Sequence, residues 1–243
     1  MTLAYWYRGS IDESRNFGDA IAPVLLERLG GIRATWSRPD SARVITIGSI
    51  IGHVPDRWSG IVLGSGTIDS RTRRDLSRAR VLVVRGVRTR DACGLARTTC
   101  LGDPGILVGR VFSVRSLPRR DMIIVPHYVD RELARRHARP GARVVSILDP
   151  PERIVDAIAG ARLVVTSSLH AMIAADALGV PHVVSIHPRV VGGAWKFEDY
   201  VSAFDESFRP GVERLTPRVR MTARQDAIAT RYAELGRLLR SAS

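Results

Sequence analysis

Short runs of consecutive apolar, mostly β-branched residues alternate with helix-period segments along most of this chain, and that alternation limits the folds open to it. The runs predict strands over 3–7, 43–47, 61–63, 81–84, 122–125, 144–148, 163–165 and 182–186. Between them, the spacing predicts helices over 18–29, 87–97, 130–138, 152–159 and 168–178. In the first of these Ile21, Val24, Leu25 and Leu29 share a face, and Gly30-Gly31 supplies the stop. A strand that is apolar on successive residues must be covered on both faces, as in a parallel sheet between helices. The expected class is α/β, built as two Rossmann-like halves. Residues 109–120 (GRVFSVRSLPRR) interrupt the rhythm and make the best linker. The expected units are 1–115, 116–220 and a closing segment, 221–243. That last segment holds an amphipathic helix with Ile228, Tyr232, Leu235 and Leu239 on one face.

Composition narrows the class further. Of 243 residues, 45% are hydrophobic, enough for a sizeable core. No stretch approaches the roughly 18 apolar residues of a membrane span. Residues 1–7 lack a basic stretch followed by an apolar one, so no signal peptide is expected, and Cys93 and Cys100 are too few for a disulfide framework or a zinc site. A reducing cytoplasm is the expected location. The net charge of +13 is carried by 36 arginines and one lysine, Lys196. Residues 1–120 hold 20 arginines against 10 acids, whereas the remainder holds 17 basic residues against 14 acids. This excess suits an anionic small molecule, an acidic polymer or an anionic membrane surface. The ordinary alternative is a solvated surface rich in arginine. Nucleic acid is not an expected partner, because the arginines are not interleaved with aromatics and no nucleic-acid motif is present.

Ligands of open parallel sheets bind beyond the carboxyl ends of the strands, so chemistry is sought there. In VVTSSLH (164–170) a strand passes into a helix through two serines. Ser167 or Ser168 can cap that helix, whose first amides, including those of Ser168 and Leu169, form an anion site. His170 lies in its first turn. The ordinary reading is a serine cap beside a half-buried histidine. In VVRGVRTR (83–90), Arg85 follows a buried strand and can clamp a carboxylate or phosphate through paired hydrogen bonds. A surface salt bridge is its ordinary reading. Asp19, in NFGDA, sits at a helix start, where helix capping is the plain explanation. GSGT (64–67) either cradles a phosphate with backbone amides or is a turn. LGDPG (101–105) reads as turn chemistry. His127 stands at another strand end, and Lys196, within WKFEDY, is notable as the one lysine kept among so many arginines. The histidines are scattered, and neither HExxH nor CxxC occurs, so no metal site is expected.

Taken in order, NFGDAIAP, the GS and GSGT turns, VVRGVRTR, LGDPGILV, PHYVD, VVTSSLHAMIAADALGVP and WKFEDY resemble the polysaccharide pyruvyl transferase family across residues 16–200. Ala171 stands where the family often has glycine, and Val87-Arg88 replaces a commoner Pro-Leu. The resemblance implies transfer of a carboxyvinyl group from phosphoenolpyruvate to a sugar, giving a pyruvate ketal and phosphate. It also implies a GT-B-like arrangement of the two halves, the first on the acceptor side and the second on the donor side. The implied donor substrate is phosphoenolpyruvate, with no cofactor and no metal expected. Implied acceptors are nucleotide sugars, lipid-linked glycans or glycan chains, the lipid-linked ones with peripheral contact to the inner membrane surface. Phosphoenolpyruvate carries about three negative charges, which fixed cations and helix-end amides can hold. On this reading Arg85, His170 and Asp19 are the expected catalytic residues. Ser168, Leu169, Lys196 and His127 are expected to bind substrate. Two rivals fit the same features: a GT-B glycosyltransferase using a nucleotide sugar, and a non-catalytic basic glycan-binding module.

Overall fold

The computed structural model describes residues 1–9, 16–114, 121–138 and 142–241. In chain order the first half contributes β1 (Thr2–Tyr5), α1 (Phe17–Ala20), α2 (Ala22–Gly30), β2 (Ala34–Trp36), β3 (Val44–Ile45), β4 (Ile61–Leu63), β5 (Arg80–Val84), α3 (Val87–Ala92), β6 (Cys100–Leu101) and α4 (Val108–Val111). The second contributes β7 (Asp121–Val125), α5 (Arg131–His137), β8 (Arg143–Val144), α6 (Pro151–Ala159), β9 (Ala161–Thr166), α7 (Leu169–Ala177), β10 (His182–Val184), α8 (Trp195–Ser202), β11 (Glu213–Arg214) and α9 (Arg218–Ser241).

Among the described residues the strands form two sheets. The first has the order β2-β1-β3-β4-β5-β6 and the second β11-β10-β9-β7-β8. Every pairing is parallel except β10 with β11. In each sheet the chain lays its second strand on one side of the first and its third on the other. The resulting switch points lie between β1 and β3 and between β7 and β9, where crevices open in doubly wound sheets.

One apolar core runs through both halves, from Phe17, Leu25 and Val44 to Val164, Ile173 and Tyr232. A second cluster, including Ile45, Ile51, Trp58 and Val62, covers the other face of the first sheet. Helix α7 joins the halves. Leu169 through Asp176 are all buried, and the helix packs against α1, α4 and α6. A helix apolar on all sides has no solvent face to offer, and its alanines let neighbours approach closely. Helix α9 returns to the first half and packs on α2, β5 and β6. Its Tyr232 hydroxyl lies 2.6 Å from Thr46 Oγ1, a buried contact 186 residues apart in sequence.

Several predicted bounds shift for local reasons. The strand expected over 43–47 pairs only at Val44–Ile45, because Gly48 turns the chain at φ +107. The helix expected over 87–97 ends at Ala92, just before Gly94 at φ +61. The strand expected over 144–148 pairs at Arg143–Val144. Strands β2, β6 and β11 and helix α8 have too few periodic residues to announce themselves. Of the expected linker, residues 109–111 belong to α4 and residues 115–120 lie outside the described residues.

Candidate active site

A cavity of about 300 Å³ opens beyond the carboxyl ends of β1 and β3. From the first half Asn16, Asp19, Gly48 and Ser49 line it; from the second come His127, Ser168, Leu169, His170 and Lys196. Six of the seven side chains selected in the sequence therefore meet in one space between the halves. Arg85 does not line it.

Asp19 is carried by α1. Its carboxyl is buried and takes a 2.6 Å hydrogen bond from Asn16 Nδ2 on Oδ2. Burial pushes its pKa up to about 7, against the opposing pulls of Asn16 and Lys196. Lys196 rides on the first turn of α8 and is 5% exposed. Burial, then the nearby Arg85, pushes its pKa down to about 8, while Asp130 and Asp19 resist. The cavity thus places two titratable groups near neutrality beside each other, an arrangement typical of acid–base chemistry.

His170 is held on the first turn of α7 and lies flat against Gly18, where a Cβ would overlap the imidazole. Burial, then Arg85 and Lys196, pushes its pKa down to about 3. It is therefore neutral at physiological pH, a hydrogen-bonding group rather than a cation. Its Nε2 faces Asp103 Oδ2 at 4.0 Å, too long for a hydrogen bond, and neither atom has a partner among the described residues. Burial pushes Asp103 up to about 7, so the contact joins two groups that burial drives toward neutrality. Asp103 Oδ1 also accepts from Gly105 N (2.9 Å), which fixes the carboxyl behind the ring. In the sequence 101–105 reads as a turn, because β6 before it is only two residues long and carries no strand signal.

His127 likewise loses its charge to burial, then to Lys196, with its pKa pushed down to about 3. Its backbone N–H donates to Ser167 Oγ at 2.9 Å. That bond changes the expected helix cap. Ser167 is engaged with β7, and Ser168 at the N-cap makes no side-chain capping bond. Instead Thr166 Oγ1 accepts from the Ser168 amide at 2.9 Å. The first-turn amides of α7 beyond it have no acceptor within their own helix.

Arg85 is fully buried and acts from behind the wall. Its Nε donates to Asp199 Oδ2 (2.9 Å), one terminal nitrogen to Ser49 Oγ (2.6 Å) and the other to the Thr67 carbonyl (2.6 Å). Gly66 packs on the guanidinium, where a side chain would overlap it. Asp199 also accepts from the Thr89 amide and hydroxyl at 2.8 and 2.6 Å. These bonds pin α8 to α3 and so fix Lys196, three residues earlier on the same helix. Three of the four GSGT amides are committed too. Gly64 donates to Val83, Gly66 to Gly48 and Thr67 to Thr89 Oγ1, so this segment is a structural turn.

No described helix is long and apolar enough to cross a membrane. A family model described as polysaccharide pyruvyl transferase matches residues 43–186, more than half of the chain. No curated protein and no solved structure matches it.

Proposed function

The chain belongs to the polysaccharide pyruvyl transferase family, and on that premise we propose that it moves a carboxyvinyl group from phosphoenolpyruvate to a sugar diol. We read the two halves facing one cavity as a GT-B-like arrangement. The observation that carries the reading is the meeting of Asp19, His170 and Lys196, chosen at three distant positions in the sequence, in a 300 Å³ space at a switch point. That volume is at the small end of ligand sites and suits a three-carbon donor with part of a sugar.

Lys196 and the first amides of α7, beginning at Leu169, hold the donor phosphate. Neutral His170 donates one N–H to the donor carboxylate. Protonated Asp19 delivers its proton to the methylene carbon, and the adjacent donor carbon takes on oxocarbenium character. A sugar hydroxyl adds there and returns a proton to Asp19. The carbon–oxygen bond to phosphate then breaks, and the departing phosphate accepts a proton. The second hydroxyl closes the ketal. The methyl group formed and the released phosphate account for the two hydroxyl protons. Arg85 holds Ser49 and α8 in place rather than touching the donor.

The test is phosphate release from phosphoenolpyruvate with candidate acceptors, together with mass spectrometry for one added pyruvate ketal. Lys196→Ala and His170→Ala are expected to lose about 100-fold or more in turnover while remaining folded. Near-normal turnover in either variant overturns the assignment. Thermal protection by a nucleotide sugar, with no response to phosphoenolpyruvate, favours a glycosyltransferase instead.

A further inference from the structure

A second cavity, of about 340 Å³, opens at the other switch point, beyond β7, β9 and β10. It is separate from the donor space but shares a wall with it. Pro126 and Ser167 face this cavity, their neighbours His127 and Ser168 face the first, and the His127 N–H to Ser167 Oγ bond ties the wall together.

Its polar centre is Asp130, 5% exposed, with neither carboxylate oxygen hydrogen-bonded among the described residues. Burying such a group unsatisfied is costly, so donors are expected from a bound molecule. His187, three residues past the end of β10, lines the same space. Its Nδ1 lies 3.4 Å from Asp130 Oδ1 but also accepts from the Arg189 N–H at 3.3 Å. In that tautomer the ring leaves the carboxylate unfilled. Ser167 and Ser185 add hydroxyls, and Ile124, Pro126 and Val165 give an apolar side.

This inventory selects the ligand. An anion is opposed by Asp130, since no arginine or lysine is among the described lining residues. A metal ion lacks ligands, since no three His, Cys, Asp or Glu side chains cluster among the described residues. What remains is a neutral molecule offering paired hydroxyl donors and an apolar ring face. We propose that this cavity is a diol-recognition subsite in which Asp130 accepts two adjacent hydroxyls of a sugar ring while Ser167 and Ser185 bond its other oxygens. The ring is either a pyranose or the ribose of a nucleotide-linked acceptor. Its place beside the donor space makes it the anchor for a part of the acceptor that does not react. That assignment to the acceptor rests on the transferase reading, whereas the diol chemistry stands without it. It also puts part of the acceptor on the second half, rather than wholly on the first.

Ligand-observed NMR with methyl α-mannopyranoside, uridine and 2′-deoxyuridine tests the site directly. Binding of at least one diol probe is expected, with a loss of about tenfold or more in Asp130→Asn. Asp130 also supports the charge on Lys196, so the affinity for phosphoenolpyruvate should fall less than the affinity for the diol. Uridine binding without 2′-deoxyuridine binding assigns the ring to a ribose; mannoside binding alone assigns it to a pyranose. Failure of all three probes to bind, or equal binding by wild type and Asp130→Asn, overturns the proposal. Diol binding without phosphate release from phosphoenolpyruvate leaves the subsite standing and removes the transferase reading. Full turnover with an unchanged acceptor KM in Asp130→Asn removes the subsite alone.

Discussion

Asp199→Ala tests how the donor cavity is held together. Asp199 and Arg85 are both fully buried, and their 2.9 Å ion pair is reinforced by the two bonds Asp199 accepts from Thr89. Removing the carboxylate leaves the guanidinium with Ser49 and the Thr67 carbonyl but with no ion-pair partner in contact with it among the described residues. An uncompensated buried charge costs about 3–5 kcal/mol. Each kcal/mol lowers the melting temperature of a chain this size by about 2–4 °C, so a drop of roughly 6–20 °C is expected. Urea titration gives the free energy and a thermal melt gives the shift. Arg85→Leu/Asp199→Leu removes both charges and should cost less than Asp199→Ala alone, because well-packed apolar residues replace buried pairs cheaply. At a temperature where Asp199→Ala is folded, its KM for phosphoenolpyruvate should rise, since α8 no longer fixes Lys196. A loss below about 1 kcal/mol refutes the reasoning. So does a double variant less stable than the single one.

Gly18→Ala pushes a methyl into the His170 ring, so turnover should fall by about tenfold or more while the melting temperature falls by about 2–12 °C. An active Gly18→Ala variant argues against the placement of His170. The Asp19 carboxyl has a folded pKa of about 7, raised from 3.8. Its contribution to stability is therefore full below about pH 4 and lost as pH rises through about 7. Asp19→Asn should flatten the fall in stability between pH 4 and 8 by a few kcal/mol at most, read from urea midpoints across pH. The same proton makes kcat/KM fall above about pH 7 in the wild type, and a flat profile to pH 9 would remove Asp19 as the acid. Tyr232→Phe deletes the buried bond to Thr46 and should cost about 1 kcal/mol in urea unfolding, with no change in KM.

The order of strands and helices, and the strand ends where chemistry sits, are written into the chain. Consecutive apolar residues such as those of 81–84 and 163–165 can only be buried strands, and such strands need helices on both faces. Strand ends point to His127, Ser168, Leu169 and His170, whereas Asp19 stands out at a helix start and Lys196 as the one lysine, and grouping them as a site rests on the family resemblance. The partners of these residues were not legible. Asp103 follows a two-residue strand with no periodic signal, and Asp130 looks like an ordinary helix-start acid. Arg85 read as a ligand clamp because a strand-end arginine is free until something pairs with it. Asp199, 114 residues away, takes that place. Local sequence sets periodicity and caps, because these depend on neighbours a few residues apart. Which carboxyl is dehydrated, which histidine is neutral and which cation is already paired depend on groups far apart in sequence, so only the folded packing decides them.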